Sequence, residues 1–87
     1  MVYVVLWQPE AREDLRRLSP VVVKRIIKKV EGYLVLEPRQ LGEALLGGFS
    51  GFYRYRIGDY RVIYHIDDEQ ITIHVVRVGY RRNVYDE

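Results

Sequence analysis

The chain has 87 residues, 48% of them hydrophobic, and its 14 basic and 12 acidic residues leave a formal net charge of +2. This composition is typical of a small folded protein and excludes a disordered tail, so a single domain over residues 1–87 is expected. Cysteine is absent, which excludes disulfides, a thiolate nucleophile and a cysteine-ligated zinc site, and suits a cytoplasmic location. The N-terminal apolar run, VYVVLW, is too short for a signal peptide or a membrane span, so no membrane partner is expected.

The first half of the chain predicts one strand and two helices. Residues 2–7 are continuously apolar and rich in branched and aromatic side chains, which predicts a strand buried on both faces. A short helix is expected over residues 9–18, with Pro9 in its first turn and arginines near its end. A second helix is expected over residues 20–36, with Ser19 as its N-cap, so that the two helices form a hairpin.

The second half predicts a loop followed by three strands. Residues 37–51 contain Pro38 and four glycines, which favours a loop. Residues 52–57, 60–66 and 70–78 have strand composition and are separated by short turns, which predicts an antiparallel meander. The expected fold is α+β, in the order β-α-α-β-β-β. The antiparallel sheet, joined by the first strand, has the two-helix hairpin on one face and leaves the other face open.

The two-residue turn Gly58-Asp59 sets the register of the first meander hairpin. Glycine in the first position suits a type II′ turn, which pairs Arg56 directly with Arg61. The face that then packs on the helices carries Tyr53, Tyr55, Ile57, Tyr60, Val62, Tyr64, Ile66, Ile71, Ile73 and Val75. The opposite, open face carries Phe52, Arg54, Arg56, Arg61, Ile63, His65, Thr72, His74 and Val76.

Three arginines on the open face, Arg54, Arg56 and Arg61, indicate an anion site. The side-chain roots of Arg56 and Arg61 are expected ~5 Å apart, and like charges placed directly opposite are mildly destabilising. No acid falls on this face within the predicted strands. A single exposed strand arginine is usually only solvated. Three guanidinium groups on a rigid sheet beside Phe52, however, favour a receptor for phosphates with bases stacked nearby.

The C-terminal segment, GYRRNVYDE, is expected at the same place, because the last strand returns toward the Gly58-Asp59 turn. A bend at Gly79 would let Tyr80, Arg81, Arg82 and Tyr85 fold over the open face. The alternative is a frayed end.

Two histidines also share the open face. The register makes His65 and His74 diagonal neighbours, which leaves three interpretations: an acid/base pair, a weak metal site or ordinary surface histidines. Two histidines without a third ligand rarely bind a metal specifically, so no metal is predicted.

The second helix carries a basic stripe opposite its apolar face. Such a stripe is usually only solvated, but on a large RNA it would supply unspecific phosphate contacts. Its members are Lys24, Arg25, Lys28 and Lys29.

The segment YRYRIGDYRVIYHIDDEQITIHVVRVGYRRNVY, with the β-α-α-β-β-β order, resembles the RelE/ParE toxin superfamily of type II toxin-antitoxin modules. The sharpest matches are residues 53–64 and the closing Arg81-x-x-x-Tyr85. The resemblance implies a small cytoplasmic toxin held inactive by a cognate RelB-like antitoxin. It also implies, for the RelE branch, an mRNA endoribonuclease that works on the ribosome without a metal or other cofactor, through the ribose 2′-hydroxyl.

The resemblance also implies which residues form the site, and the chemical demands of the transesterification suggest a role for each. The basic residues of the family's site fall on Arg54, Arg56, Arg61 and Arg81, and its terminal tyrosine falls on Tyr85. The strand arginines would stabilise the charge of the phosphorane, Arg81 would hold the scissile phosphate, and Tyr85 would act as general base beside the guanidinium groups. Phe52, the basic stripe and Arg82 would contact RNA.

This chain departs from the family's pattern in two ways. Arginines stand where well-known RelE toxins have lysines in the first basic pair, which keeps the charge but not an easily exchanged proton. Tyr80 precedes Arg81, where many relatives have histidine or lysine.

Two other functions stay open: a ParE-like inhibitor of DNA gyrase and a non-catalytic RNA-binding module. Arg81 and Tyr85 favour the RelE branch over the ParE branch.

Overall fold

The computed structural model describes residues 2–80. Within that range the helices are α1 (Pro9–Arg16), α2 (Pro20–Gly32) and α3 (Pro38–Leu41). The strands are β1 (Val4–Trp7), β2 (Glu43–Ala44), β3 (Tyr53–Ile57), β4 (Tyr60–Asp67) and β5 (Thr72–Tyr80). Short 3-10 turns lie at Leu34–Leu36 and Gly47–Phe49. No helix of residues 2–80 is long and apolar enough to cross a membrane.

The strands form one sheet in the order β1-β5-β4-β3-β2. The three predicted meander strands are confirmed as β3, β4 and β5, and the α+β class is confirmed with them. The expectation that residues 37–51 form only a loop is wrong. Glu43 and Ala44 pair with Arg54 and Tyr53 and add β2 at the edge of the sheet. A strand of two residues is too short to produce a recognisable sequence pattern.

β1 is an edge strand, and the expectation that it is buried on both faces is wrong. It pairs in parallel with β5 on one side only. Val5 and Trp7 pack against the core, whereas Val4 is 59% exposed and Leu6 is 48% exposed. The helices cover only one face of this small sheet, so a continuous apolar run does not require burial on both sides.

The two predicted helices begin where expected, with proline in the first turn of each. Ser19 caps α2, because its Oγ accepts a hydrogen bond from the Val22 amide at 3.4 Å. The second helix ends at Gly32 rather than at residue 36, and the following 3-10 turn keeps Leu34 buried. Glycine disfavours the helix enough to account for the earlier end.

The main core lies between the helices and the predicted core face of the sheet. Ala11, Ile26 and Val30 from the helices are fully buried against sheet residues that include Val62 and Tyr64. The Tyr64 hydroxyl donates a 2.6 Å hydrogen bond to the Pro38 carbonyl, and burial raises the pKa of the Tyr64 phenol. This bond connects the centre of the sheet to α3.

Helix α1 supplies hydrogen-bond acceptors to the edge of β5 beyond the point where β1 ends. β1 pairs only with residues 72–75 of β5. Beyond them, the buried carboxylate of Asp14 accepts the Val78 amide at 2.9 Å and the Arg77 Nε–H at 2.8 Å. A side chain from α1 thus replaces part of the missing strand.

Candidate functional site

The β3–β4 hairpin brings the three predicted arginines together in the predicted register. Arg56 pairs with Arg61, and Arg54 pairs with Ile63. Gly58 has a φ of +61°, as the first turn residue of a type II′ turn requires. A Cβ at position 58 would lie 2.8 Å from Nη2 of Arg25, whose exposed side chain can move aside, so the backbone conformation is the main reason for glycine here.

The arginine face is partly covered, and the expectation of an open face is wrong. Leu45 and Ile63 are buried there in a second apolar cluster, packed by Phe49, Phe52 and Val76. The segment between β2 and β3 folds over this face because its own apolar side chains need burial. The sequence predicted only a loop for that segment, with no part in the core.

The three arginines have different environments. The Arg54 side chain is 10% exposed, whereas that of Arg56 is 56% exposed. Arg61 is buried as well. Nε and Nη1 of Arg54 are buried and have no hydrogen-bond partner among residues 2–80. A buried guanidinium with unused donors is costly unless an anion completes its hydrogen bonds, so Arg54 is a strong candidate for binding one.

Sequence reasoning missed an acid at the cluster, Glu43. It lies directly across from Arg54 on β2. Its Oε1 is 3.2 Å from Nη2 of Arg54 and 3.4 Å from Nε of Arg56. The prediction that this face has no acid considered only the predicted strands, and β2 was not one of them. A lone glutamate after a glycine gives no reliable sequence signal of such a position.

His65 and His74 are directly opposite each other, so the expectation of diagonal neighbours is wrong. A bulge between Ile63 and Tyr64 shifts the β4–β5 register by one residue. The two imidazole rings stack with centroids 4.6 Å apart, and the Gln8 amide nitrogen lies 3.1 Å from His74 Nδ1.

The environment of this pair has two chemical consequences. Burial, with a contribution from His74, lowers the pKa of His65. Residues 2–80 contain no cluster of three or more histidine, cysteine, aspartate or glutamate side chains that could hold a metal ion.

The basic stripe of α2 is exposed throughout, as expected of a solvated helix face. Its Arg25 reaches the Gly58 turn and therefore lies at the arginine end of the hairpin. Lys29 instead lies over the Tyr33 ring, 4.9 Å from its centroid. Of the stripe residues, Arg25 is thus the one shown here to lie beside the hairpin turn.

The predicted tail residues Arg81, Arg82 and Tyr85 lie outside the described residues. β5 does return to the hairpin turn, because Tyr80 pairs with Tyr60. The expected bend at Gly79 is wrong: Gly79 pairs with Arg61 and β5 continues through Tyr80.

Comparisons with known proteins place this geometry in a family. Residues 5–85 match the model of the ParE toxin of the type II toxin-antitoxin system. The chain is 35% identical over 85 residues to toxin RelG of Mycobacterium tuberculosis, with 98% of each chain covered. It is 29% identical over 91 residues to the mRNA interferase toxin RelE of Escherichia coli K12, covering 100% of this chain and 94% of the relative.

The solved structures agree with the sequence comparisons. The toxin-antitoxin complex RelBE2 of Mycobacterium tuberculosis contains a chain that superimposes with a TM-score of 0.89 at 34% identity. The match covers 93% of this chain and 100% of that one. The fold is therefore that of the RelE toxins. The chain belongs to the RelE/ParE toxin superfamily of type II toxin-antitoxin modules, which confirms the resemblance inferred from its sequence.

Proposed function

We propose that this protein is a toxin that cuts mRNA on the ribosome. The observation that carries the proposal is the buried guanidinium of Arg54, two of whose donor groups have no partner among residues 2–80, beside Arg56 and Arg61 on one rigid hairpin. The name of the Escherichia coli relative, an mRNA interferase, supports the same activity. Guanidinium forks bind phosphate groups through paired, charge-assisted hydrogen bonds, which makes RNA a suitable substrate.

The proposed reaction is a metal-independent transesterification. Tyr85, as phenolate, takes the proton of the ribose 2′-hydroxyl, and the 2′-oxygen then attacks the adjacent phosphorus. The bond to the 5′-oxygen breaks, which leaves a 2′,3′-cyclic phosphate on one fragment. Arg81 holds the scissile phosphate, the leaving 5′-oxygen takes a proton from water, and Tyr85 returns its own proton to solvent. The hairpin arginines, Arg54, Arg56 and Arg61, stabilise the negative charge of the phosphorane. One preorganised donor of this kind is typically worth ~10²–10³ in rate.

The remaining predicted contacts would bind RNA without taking part in the chemistry. Phe52 would stack on a base, and Arg82 would contact the backbone. Of the α2 stripe, Arg25 has the best position, because it already reaches the hairpin turn. Lys24, Lys28 and Lys29 would add unspecific attraction to phosphates.

The proposed protein partner is a RelB-like antitoxin, supported by the solved relative, which is a toxin-antitoxin complex. Ile63, which the sequence placed on the open face, is fully buried and offers no surface to such a partner. Exposed apolar side chains occur instead on β1, at Val4 and Leu6.

The experiment that tests the proposal is incubation of the purified protein with ribosomes carrying a defined mRNA. Cut mRNA supports the RelE-type activity. The match to the ParE family model keeps a second candidate, inhibition of gyrase. Blocked DNA supercoiling with intact mRNA would support that candidate, and ribosome binding with neither effect would indicate a non-catalytic RNA-binding module.

A further inference from the structure

We propose that Glu43 is an internal competitor of the RNA phosphate. In the free protein its carboxylate occupies the anion site formed by Arg54 and Arg56, and RNA binds there by displacing it. The biological meaning of this inference rests on the proposed function, because it takes RNA as the ligand. In physical terms, the Glu43 carboxylate and an RNA phosphate compete for the same guanidinium groups.

Glu43 satisfies the Arg54 guanidinium only in part, as expected of an anion that another anion can displace. One carboxylate oxygen, Oε1, is shared between Arg54 and Arg56 at 3.2 and 3.4 Å. This leaves Nε and Nη1 of Arg54 without a hydrogen-bond partner in the described part of the chain. A carboxylate that fully satisfied Arg54 would use both of its oxygens on the guanidinium fork.

The exposure of the two partners also differs. Glu43 is 57% exposed, whereas the Arg54 side chain is 10% exposed. The carboxylate can therefore rotate into water with its hydration restored, while the guanidinium remains in the sheet. Arg54 is thus the fixed half of the pair and Glu43 is the movable half.

This arrangement favours an RNA backbone over a small anion. An isolated anion must displace Glu43 with one charge, whereas a backbone presents successive phosphates to Arg54, Arg56 and Arg61 together. Several simultaneous contacts offset the loss of the Glu43 ion pair. Glu43 therefore lowers affinity for every anion and leaves extended polyanions as the effective ligands.

The test compares two variants that make the same change in net charge. Glu43→Gln removes the proposed competitor. Glu69→Gln removes an exposed acid in the β4–β5 turn, at the other end of β4 from Arg61. The probe is a short 2′-O-methyl RNA, which lacks the attacking hydroxyl and cannot be cut. Its affinity for each protein is measured by fluorescence anisotropy at one salt concentration.

Glu43→Gln is expected to bind the probe about three- to tenfold more tightly than wild type, because a half-exposed charge acting over a few ångströms contributes on that scale. Glu69→Gln is expected to change affinity less than about twofold. Should Glu43→Gln fold poorly, Glu43→Asp provides a second measurement. It keeps the charge but retracts the carboxylate from Arg54, so affinity should rise by a smaller factor.

Equal affinity of the two glutamine variants would overturn the proposal. So would a Glu43→Gln protein that binds the probe as wild type does but no longer cuts mRNA, since Glu43 would then act in proton transfer rather than in competition. Failure of wild type to cut ribosomal mRNA would instead reject the proposed function. The ranking of probe affinities does not depend on cleavage, so the two failures are distinguishable.

Discussion

Arg54 shows how one residue can be both a structural cost and a functional group. A buried arginine with donors unused by residues 2–80 destabilises the folded state relative to an apolar side chain. The exposed Arg56 carries no such cost and could be replaced freely if only the fold mattered. The guanidinium at position 54 is therefore best explained by anion binding, as strained or poorly satisfied groups concentrate at functional sites.

Tyr64 makes a residue-scale prediction about stability. Its buried hydroxyl donates to the Pro38 carbonyl, and Tyr64→Phe leaves that carbonyl without its donor. The free energy of unfolding should fall by about 1–2 kcal/mol. Tyr33→Phe is the control, because Tyr33 is exposed and its hydroxyl removal should cost less than about 0.5 kcal/mol. Urea titration measures both, and equal costs would show that the Tyr64 bond adds nothing.

His65 makes a residue-scale prediction about pH. Its pKa is lowered in the folded protein from the ordinary value of 6.5, by burial first and by His74 second. The unfolded chain therefore binds the proton more readily. The His65 contribution to stability is complete above about pH 6.5 and is lost as pH falls from there through the folded pKa.

The measurement is urea unfolding between pH 7.5 and 5 for wild type and His65→Gln. The wild-type free energy of unfolding should fall more steeply on acidification than that of the variant. Parallel curves would mean that His65 has the same proton affinity in the folded and unfolded states.

At the scale of elements, the β5 edge depends on α1. Asp14→Ala removes the acceptor of the Val78 amide and the partner of Arg77. Stability should fall by about 2 kcal/mol, since a nearly buried carboxylate that accepts three hydrogen bonds is lost while Arg77 keeps access to water. Amide hydrogen exchange at Val78 should accelerate. Glu13→Ala, which removes an exposed ion pair with Arg16, should change little. Unchanged Val78 exchange in Asp14→Ala would contradict this account.

β2 shows how a very short element can decide the character of a site. Its two residues place Glu43 across from Arg54. Without β2 this face would carry no acid, as the sequence alone indicated. With it, the site contains its own counterion, and ligand binding becomes an exchange of anions.

At the scale of the whole molecule, local arrangement matters more than net charge. A formal charge of +2 gives little general attraction for RNA. The function proposed here depends on three guanidinium groups held by one hairpin and on the stripe residue Arg25, which reaches its turn. Substitutions of surface residues that are neither proposed RNA contacts nor Glu43 should therefore affect RNA binding weakly.

The sequence predicted the parts of the fold that local rules determine. The glycine turn set the β3–β4 register, and alternation then identified the core face that includes Val62 and Tyr64. It could not predict the β4–β5 bulge, because nothing in the composition around Val76 marks an extra residue. It also could not predict the burial of Ile63, which depends on Leu45 and the segment after it folding back across the sheet.

Cleavage of a defined mRNA on programmed ribosomes is the most direct test of the central claim, that the arginine cluster with Arg81 and Tyr85 cuts RNA. Wild type should cut the message. Tyr85→Phe and Arg81→Ala should lose cleavage while keeping their melting temperature and ribosome binding, and the double variant His65→Ala with His74→Ala should still cut. Intact mRNA with wild type, or cleavage by Tyr85→Phe but not by the double histidine variant, would contradict the account.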